Sequence, residues 1–393
     1  MQSQIQESLN RLKHFCESAE YKGWDPYDGL NSRVFQYIPA LRESKLARLL
    51  WIQLFKKNPV NLRRLLLVDQ GYNPKGLALF LQGYCSIYRN IPDEETLQKI
   101  NWFASKLIEM KSVGYSGACW GYNFDWQARA FYQPKNSPTI VASTYIGYAL
   151  FDAYEITRND IYRNHALEIA DFIINDLNRT YDQDEDFAFS YSPYDKTQVF
   201  NASLLGSRML SRIYHYKQDK NLLTLARKSV AFCCKHQNSD GSWFYGTLPF
   251  HRWIDNFHTG FNLECIAEYQ RYSQDYSFAE NLRIGTQYYL DTFFTYEGLP
   301  KYYNNSIYPI DVHSTSQLII TLDRLNMLEE RIELVNRVLT WTIDRMQSDK
   351  GFFYYQKNKY YTVKIPYMRW SQAWMFYALT IYLSRIGIKY SPS

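Results

Sequence analysis

The chain repeats itself. A unit of roughly 55 to 64 residues recurs about six times: an amphipathic helix, a loop crowded with aromatics and Asp, then a second, more apolar helix. The second helices are expected to start near Pro74, Pro138, Gln198, His258, Val312 and Arg369, which separates successive starts by 64, 60, 60, 54 and 57 residues. Self-similarity at a fixed period constrains the architecture before any single residue does, because each unit must bury its apolar face on its neighbours. It also places six similar loops at the same end of six similar helices.

The first helix of each unit carries an apolar stripe and a charged face. In 161–177, Ile161, Ala166, Ile169, Ala170, Ile173 and Leu177 recur at helical spacing. Such helices have one wet side and belong outside. The second helices, such as 139–154 and 201–214, are apolar round more of their circumference and carry Gly, Ala and Ser, which admit close neighbours. They belong inside. A helix near 41–57 is expected to complete six outer–inner pairs, with 1–20 as an extra N-terminal helix. The expected fold is all-α, a closed (α/α)6 toroid spanning 1–393 as one domain, in which residues 1–38 form a helix and a loop over the cleft. The period exceeds the roughly 34 to 47 residues usual for open helical arrays, which disfavours a solenoid.

Among 393 residues there are 36 Tyr, 23 Phe and 10 Trp. Many fall in the long outer-to-inner loops 119–138, 180–198, 237–257, 296–311 and 347–368, where a core does not require them. Long loops without helices of their own are usually functional. The opposite connections, such as 157–162, are short and polar. One rim of the ring is therefore expected to be aromatic and polar and the other plain. A cleft lined by Trp and Tyr and edged by carboxylates and amides suits sugars, whose C–H faces pack on rings while their hydroxyls take hydrogen bonds.

The net charge of +5 is modest and no Lys/Arg run stands out, which argues against nucleic acid as a partner. Cys16, Cys85, Cys119, Cys233, Cys234 and Cys265 form no CxxC pair and read as reduced, buried thiols. The N-terminus lacks an apolar signal core, and no window offers 18 apolar residues, so a cytoplasmic protein without a membrane span is expected. No cofactor is expected. Nor is a metal, because no two His or Cys sit at ligand spacing with a third group nearby.

The most chemical segment runs from His251 to Asn262. Asp255 and His258 bracket the start of an inner helix, and Asp311 and His313 open the next one. A His at a helix N-terminus is held neutral and serves as base or electrophile. Asp255 and Asp311 double as N-caps. Asp125 is a third carboxylate candidate. Trp120, Tyr122, Trp126, Tyr194, Trp243, Trp253 and Trp370 are candidates for sugar contact. Arg369 is a candidate bidentate clamp on a substrate carboxylate. Asp195 is a further polar candidate, and Trp24 with Asp25 or Asp28 joins the set if the turn-rich segment 23–30 folds over the mouth.

These features resemble the six-hairpin toroid superfamily, which includes unsaturated glucuronyl hydrolases, N-acylglucosamine 2-epimerases and toroidal uronate lyases and epimerases. The resemblance covers the whole chain through architecture and loop character. It implies Asp125, Asp255, His258, His313 and Arg369 at the mouth of the inner ring. The segment from Gly23 to Phe35 also resembles bacterial surface-polysaccharide biosynthesis proteins, which implies association with a polysaccharide synthesis complex. A second resemblance competes. Gln237-x3-Gly241-x-Trp243 is similar to the QxxxGxW repeat of squalene-type terpene cyclases, Gln347-x3-Gly351-x-Phe353 is a degenerate copy, and Asp182–Asp186 is close to their DxDD acid motif with Glu185 at the final Asp.

Three function classes follow. The first is an enzyme acting on an acidic, uronate-containing oligo- or polysaccharide. It works either by hydrolysis through Asp255 or Asp125 or by epimerisation or elimination through His258 and His313. The second is a non-catalytic glycan-binding or assembly protein. The third is a terpene cyclase or prenyltransferase, which requires an apolar central cavity and the acidic 182–186 stretch.

Overall fold

In the computed structural model of the protein, residues 2–387 are described. Residue 1 and residues 388–393 of the expected domain lie outside them. Six inner helices form a ring: α5 (Pro74–Asn90), α7 (Ile140–Thr157), α9 (Phe200–Lys217), α11 (Asn256–Ser273), α13 (Val312–Arg324) and α15 (Trp374–Arg385). Each packs on the next, and α15 closes on α5. The observed inner starts lie within two residues of the expected ones for the first five. The sixth opens with a π-helical turn, Met368–Ala373, that runs into α15.

Five outer helices follow their inner partners: α6 (Glu94–Glu109), α8 (Asp160–Asn175), α10 (Lys220–Lys235), α12 (Ala279–Phe293) and α14 (Ile332–Met346). The sixth outer place is taken by α1 (Gln2–Ser18), which packs against α14 and α15. This corrects the expectation for 41–57. Those residues lie in α3 (Pro39–Glu43) and α4 (Lys45–Lys57), which with α2 (Arg33–Tyr37) belong to a long insert between α1 and α5. The outer stripes are as expected from α6 onward, except that Ile161, in the first turn of α8, is exposed.

The two QxxxG elements are the mortar of this wall. Gln237 Nε2 donates to Gly241 O (2.9 Å) in its own loop and to Asn281 O (3.0 Å) on the next outer helix, α12. Gln347 repeats both bonds, to Gly351 O (2.8 Å) and to Ser8 O (3.0 Å) on α1. Gly241 and Gly351 sit at φ +93° and +91°, and a Cβ on either would meet a neighbouring helix carbonyl, Ile284 O or Arg11 O, at 2.4 or 2.3 Å. So α1 occupies the position, and receives the contacts, that α12 has two units earlier.

The outer-to-inner loops carry short antiparallel hairpins: β1 (Trp126–Gln127) with β2 (Tyr132–Gln133), and β3 (Arg179–Tyr181) with β4 (Phe187–Phe189). A three-stranded piece joins the last two loops, β5 (Ile310–Asp311), β6 (Gln356–Lys357) and β7 (Thr362–Val363), in the order β5-β6-β7. All six cysteines are buried and unpaired. No helix among the described residues is long and apolar enough to cross a membrane.

Candidate active site at the mouth of the inner ring

Four inner helices open with a side-chain cap: Asn73, Thr139, Asp255 and Asp311 accept from backbone amides of the first turn. Counting two residues past each cap position, including Val199 and Tyr367 where no side chain caps, gives one inward register: Lys75, Val141, Asn201, Phe257, His313 and Arg369. All six are at most 5% exposed. They form a ring of side chains just inside the mouth.

This register separates the two histidines that the sequence suggested were equivalent. His258 stands three residues after its cap and His313 two after its own, and one residue is about 100° of helix turn. His258 therefore folds back toward the rim. Its amide and its ring use the same carboxylate: N to Asp255 Oδ1 at 2.9 Å, and Nδ1 to Asp255 Oδ2 at 2.6 Å. Trp253 Nε1 donates to Oδ2 as well (3.0 Å). The carboxylate thus caps α11, fixes the imidazole and fixes its tautomer. Tyr245 stacks on Trp253 (4.4 Å) and meets the His258 ring edge-on (4.6 Å). The His258 side chain is 23% exposed.

His313 points inward. It lies parallel to its register-mate Phe257 (4.7 Å, 4°) and against Trp374 (4.2 Å). Both ring nitrogens lack hydrogen-bond partners among the described residues. Burial, then the charges of Lys75 and Arg369, hold it neutral, well below the usual histidine range. Its cap Asp311 accepts from Trp370 Nε1 (3.0 Å), Gln356 Nε2 (2.7 Å) and the His313 amide (2.9 Å). Burial nevertheless pushes the Asp311 carboxyl up to about 6.

Below this ring lies a second layer from alternate helices: Tyr145 on α7, Phe261 on α11 and Trp374 on α15. The Lys75 ammonium sits over all three faces, at 4.1, 5.4 and 5.2 Å. Tyr145 OH, Asn262 Oδ1, Asn201 Oδ1 and Trp374 Nε1 are buried and unpartnered. Deeper still, a cavity of about 10 Å³ is lined by Gln82, Tyr145, Tyr148, Arg208, Glu264 and Arg324 among others. The axis of the ring is polar and charged. That runs against the apolar chamber a terpene cyclase needs. So does the acidic stretch: Asp182, Asp184 and Asp186 sit at the β3–β4 turn, clamped on Lys235 of outer helix α10 at 2.7 to 3.1 Å.

Several expected site residues are engaged within the protein itself. Trp120 and Trp243 are buried in the wall, donating to Leu107 O (2.6 Å) and Cys233 O (3.0 Å), and have no surface for a ligand. Arg369 does not face the pocket as a free clamp: Nε and Nη2 grip Asp25 at 2.6 and 2.8 Å, both residues being 5% exposed or less. Asp28 is gripped by Arg63 Nε (2.7 Å), and burial raises its carboxyl to about 6. Trp24 donates to Val68 O (2.9 Å). Asp195 closes a local turn through Ser192 and Thr197. Asp125 accepts from the Lys135 amide (2.7 Å) and from Gln36 Nε2 (3.4 Å). Tyr194 is exposed and meets Tyr115 OH at 2.5 Å.

The Asp25–Arg369 pair and the bond from Arg63 Nη1 to Tyr367 OH (3.0 Å) lock the insert onto the mouth, and Asp28–Arg63 braces the insert within itself. From it Tyr27 reaches Trp126 (6.2 Å) and Trp370 (5.6 Å), and Trp370 in turn meets His313 (5.3 Å). Tyr122, over Arg369, is buried beside Tyr191. Residues unforeseen from sequence are therefore Lys75, Tyr27, Tyr145, Tyr245, Phe257, Phe261 and Trp374. The signal that finds Lys75 is a lone cation opening the otherwise apolar stretch 74–81.

No protein-family model matches the chain, and no curated protein matches it. Solved structures do. A cellobiose 2-epimerase from Bacillus thermoamylovorans superposes with a TM-score of 0.62 at 11% identity, over 81% of this chain and 90% of that one. An unsaturated glucuronyl hydrolase specific for heparin gives 0.63 at 11% identity, over 99% and 98%. A family 76 α-mannanase from Bacteroides thetaiotaomicron gives 0.59 at 12% identity, over 80% and 87%. At such identities the likeness assigns architecture, and the architecture it assigns is the (α/α)6 toroid.

Proposed function

We propose that this chain is a carbohydrate-active enzyme that moves a proton at a sugar carbon, as an epimerase or a lyase, on an acidic glycan. The observation that carries the reading is the Asp255–His258 pair at the rim, beside the rings of Tyr245 and Trp253. Nδ1–H donates to the carboxylate, so Nε2 carries the lone pair and acts as the base. His313, neutral and unpartnered one helix away, is the second group: an imidazole held neutral can donate to or accept from a substrate oxygen or carbon. Tyr245, Trp253, Phe257 and Phe261 offer faces for the sugar, and the unpartnered amide, hydroxyl and indole groups offer hydrogen bonds for its hydroxyls. Hydrolysis is served less well, since it calls for two available carboxylates flanking the bond. Asp25, Asp28, Asp125, Asp195, Asp255 and Asp311 are each engaged by two or more donors. The sugar-acting enzymes that share the fold support the substrate class. Surface-polysaccharide metabolism is the proposed setting.

The test is incubation with acidic oligosaccharides in D₂O, followed by NMR and mass spectrometry. Solvent deuterium at a sugar carbon is the expected result. H258A is expected to slow its entry by roughly 10² to 10⁴, the range for loss of a general base. New reducing ends without deuterium would replace this reading by hydrolysis. Binding without any turnover would replace it by a glycan-binding protein.

A further inference from the structure

The inward register is not symmetric in charge. Three consecutive inner helices, α13, α15 and α5, contribute His313, Arg369 and Lys75, while α7, α9 and α11 contribute Val141, Asn201 and Phe257. Within the basic arc Arg369 is neutralised by its two bonds to Asp25. Lys75 is not neutralised. It is 4% exposed and, among the described residues, makes no hydrogen bond and no ion pair. The charged and titratable groups that face it from the surrounding elements are Arg369 on the π-turn, Asp25 on the insert, Glu264 on α11, His313 on α13 and Tyr145 on α7. Asp25 is spent on Arg369, and Glu264 is held by Arg208 (3.6 Å), Thr321 (2.9 Å) and Gln317. Tyr145, Phe261 and Trp374 present ring faces to the ammonium. Faces attract a cation but cannot accept its three N–H donors as lone pairs would. A buried ammonium without an acceptor is a costly arrangement that an anion relieves.

We infer that Lys75 anchors the negatively charged group of the substrate, the carboxylate of a uronate, at the floor of the pocket. Arg369, which sequence alone put forward for that task, instead holds the insert in place. The inference rests on the reading that this pocket takes a sugar, and it adds the residue that would make the sugar an acidic one. Burial and Arg369 hold the free lysine well below its usual range. A carboxylate beside it favours the charged form.

D-Glucuronate and D-glucose are the probes, titrated into the full chain by NMR and by calorimetry. The wild type is expected to prefer glucuronate by about tenfold or more, as suits a hydrogen bond to a charged group. K75M is expected to lose the preference while glucose binds as before. K75M fills the aromatic cage with an apolar chain of similar length, so it is expected to melt no lower than wild type. K75Q serves if it does not fold. Glucuronate preference retained in K75M, or no preference for glucuronate in wild type, overturns the inference and leaves the sugar reading intact. Failure of both sugars to bind wild type overturns the two together.

Discussion

Removing Arg369 tests whether its role is to bind substrate or to hold the mouth together. Its guanidinium makes two bonds to Asp25, at 2.6 and 2.8 Å, with both side chains 5% exposed. R369M leaves Asp25 as a buried carboxylate that has lost its partner. Breaking one side of such a pair costs about 3 to 5 kcal/mol. The unfolding entropy of a chain of 393 residues is about 0.8 kcal/mol per kelvin, taking about 2.1 cal/mol/K per residue. The melting temperature should therefore fall by about 4 to 6 °C. The loss should be concentrated in the insert, because Met368 N donates to Trp24 O (3.1 Å) next to the pair and Gly23 packs on Met368. Hydrogen exchange should accelerate at 23–30 before it does in the inner helices. D25N/R369M should recover part of the loss, since neither partner is then a stranded charge. The assays are calorimetry and exchange mass spectrometry on the four proteins of the cycle. An R369M protein that melts and exchanges like wild type, yet no longer binds acidic sugar, would refute the structural role and return Arg369 to the substrate.

G351A should loosen the ring at its seam, because a Cβ there meets Arg11 O at 2.3 Å and φ is +91°. The expected cost is about 1 to 3 kcal/mol, read as faster exchange in α1; unchanged protection of α1 would contradict its place as the sixth outer helix. Asp311, raised to about 6 from an ordinary 3.8, contributes stability that is fully present below pH 4 and lost as pH rises through 6. Between pH 5 and 7 the wild type should thus lose roughly 1 kcal/mol more than D311N, and parallel stability profiles would show that the carboxyl is ordinary. D255N keeps the cap on α11 but no longer fixes the His258 tautomer. It should lower turnover by at least about tenfold with little change in melting, and equal turnover would remove Asp255 from the mechanism. Neutralising Asp182 and Asp184 together should leave activity unchanged, whereas a loss would revive the cyclase reading.

Most of the ring was legible because its signals are local. An apolar stripe, a cap and a small-residue face each fit within one helix, and the observed inner starts follow the expected ones. The sixth outer helix was not local. Residues 41–57 are amphipathic enough to fill the gap in chain order, while the true occupant, α1, lies more than 300 residues from the helices it packs on, α14 and α15. Yet the sequence held the correction. The Gln347-x3-Gly351 element repeats Gln237-x3-Gly241, whose glutamine reaches across to the next outer helix. A last copy implies another outer helix packed beyond α14, and α1 is the helix that takes that place.

The site was legible by type and missed by register. Asp and His at inner-helix starts pointed to the mouth, but spacing of three from Asp255 and of two from Asp311 sends the imidazoles to different places. One meets a carboxylate and the other meets Phe257 and Trp374. Aligning the repeats on the caps, rather than on the first apolar residue, brings Lys75, Phe257, His313 and Arg369 into one circle. A carboxylate partner then distinguishes the two cations. Asp25 reaches Arg369 across 344 residues of sequence, through an insert that no helical periodicity describes. That long-range pairing is what turns Arg369 into a bolt and leaves Lys75 as the buried cation without an anion. The chemistry of the pocket therefore depends on an insert outside the repeat, and on which of two neighbouring cations it neutralises.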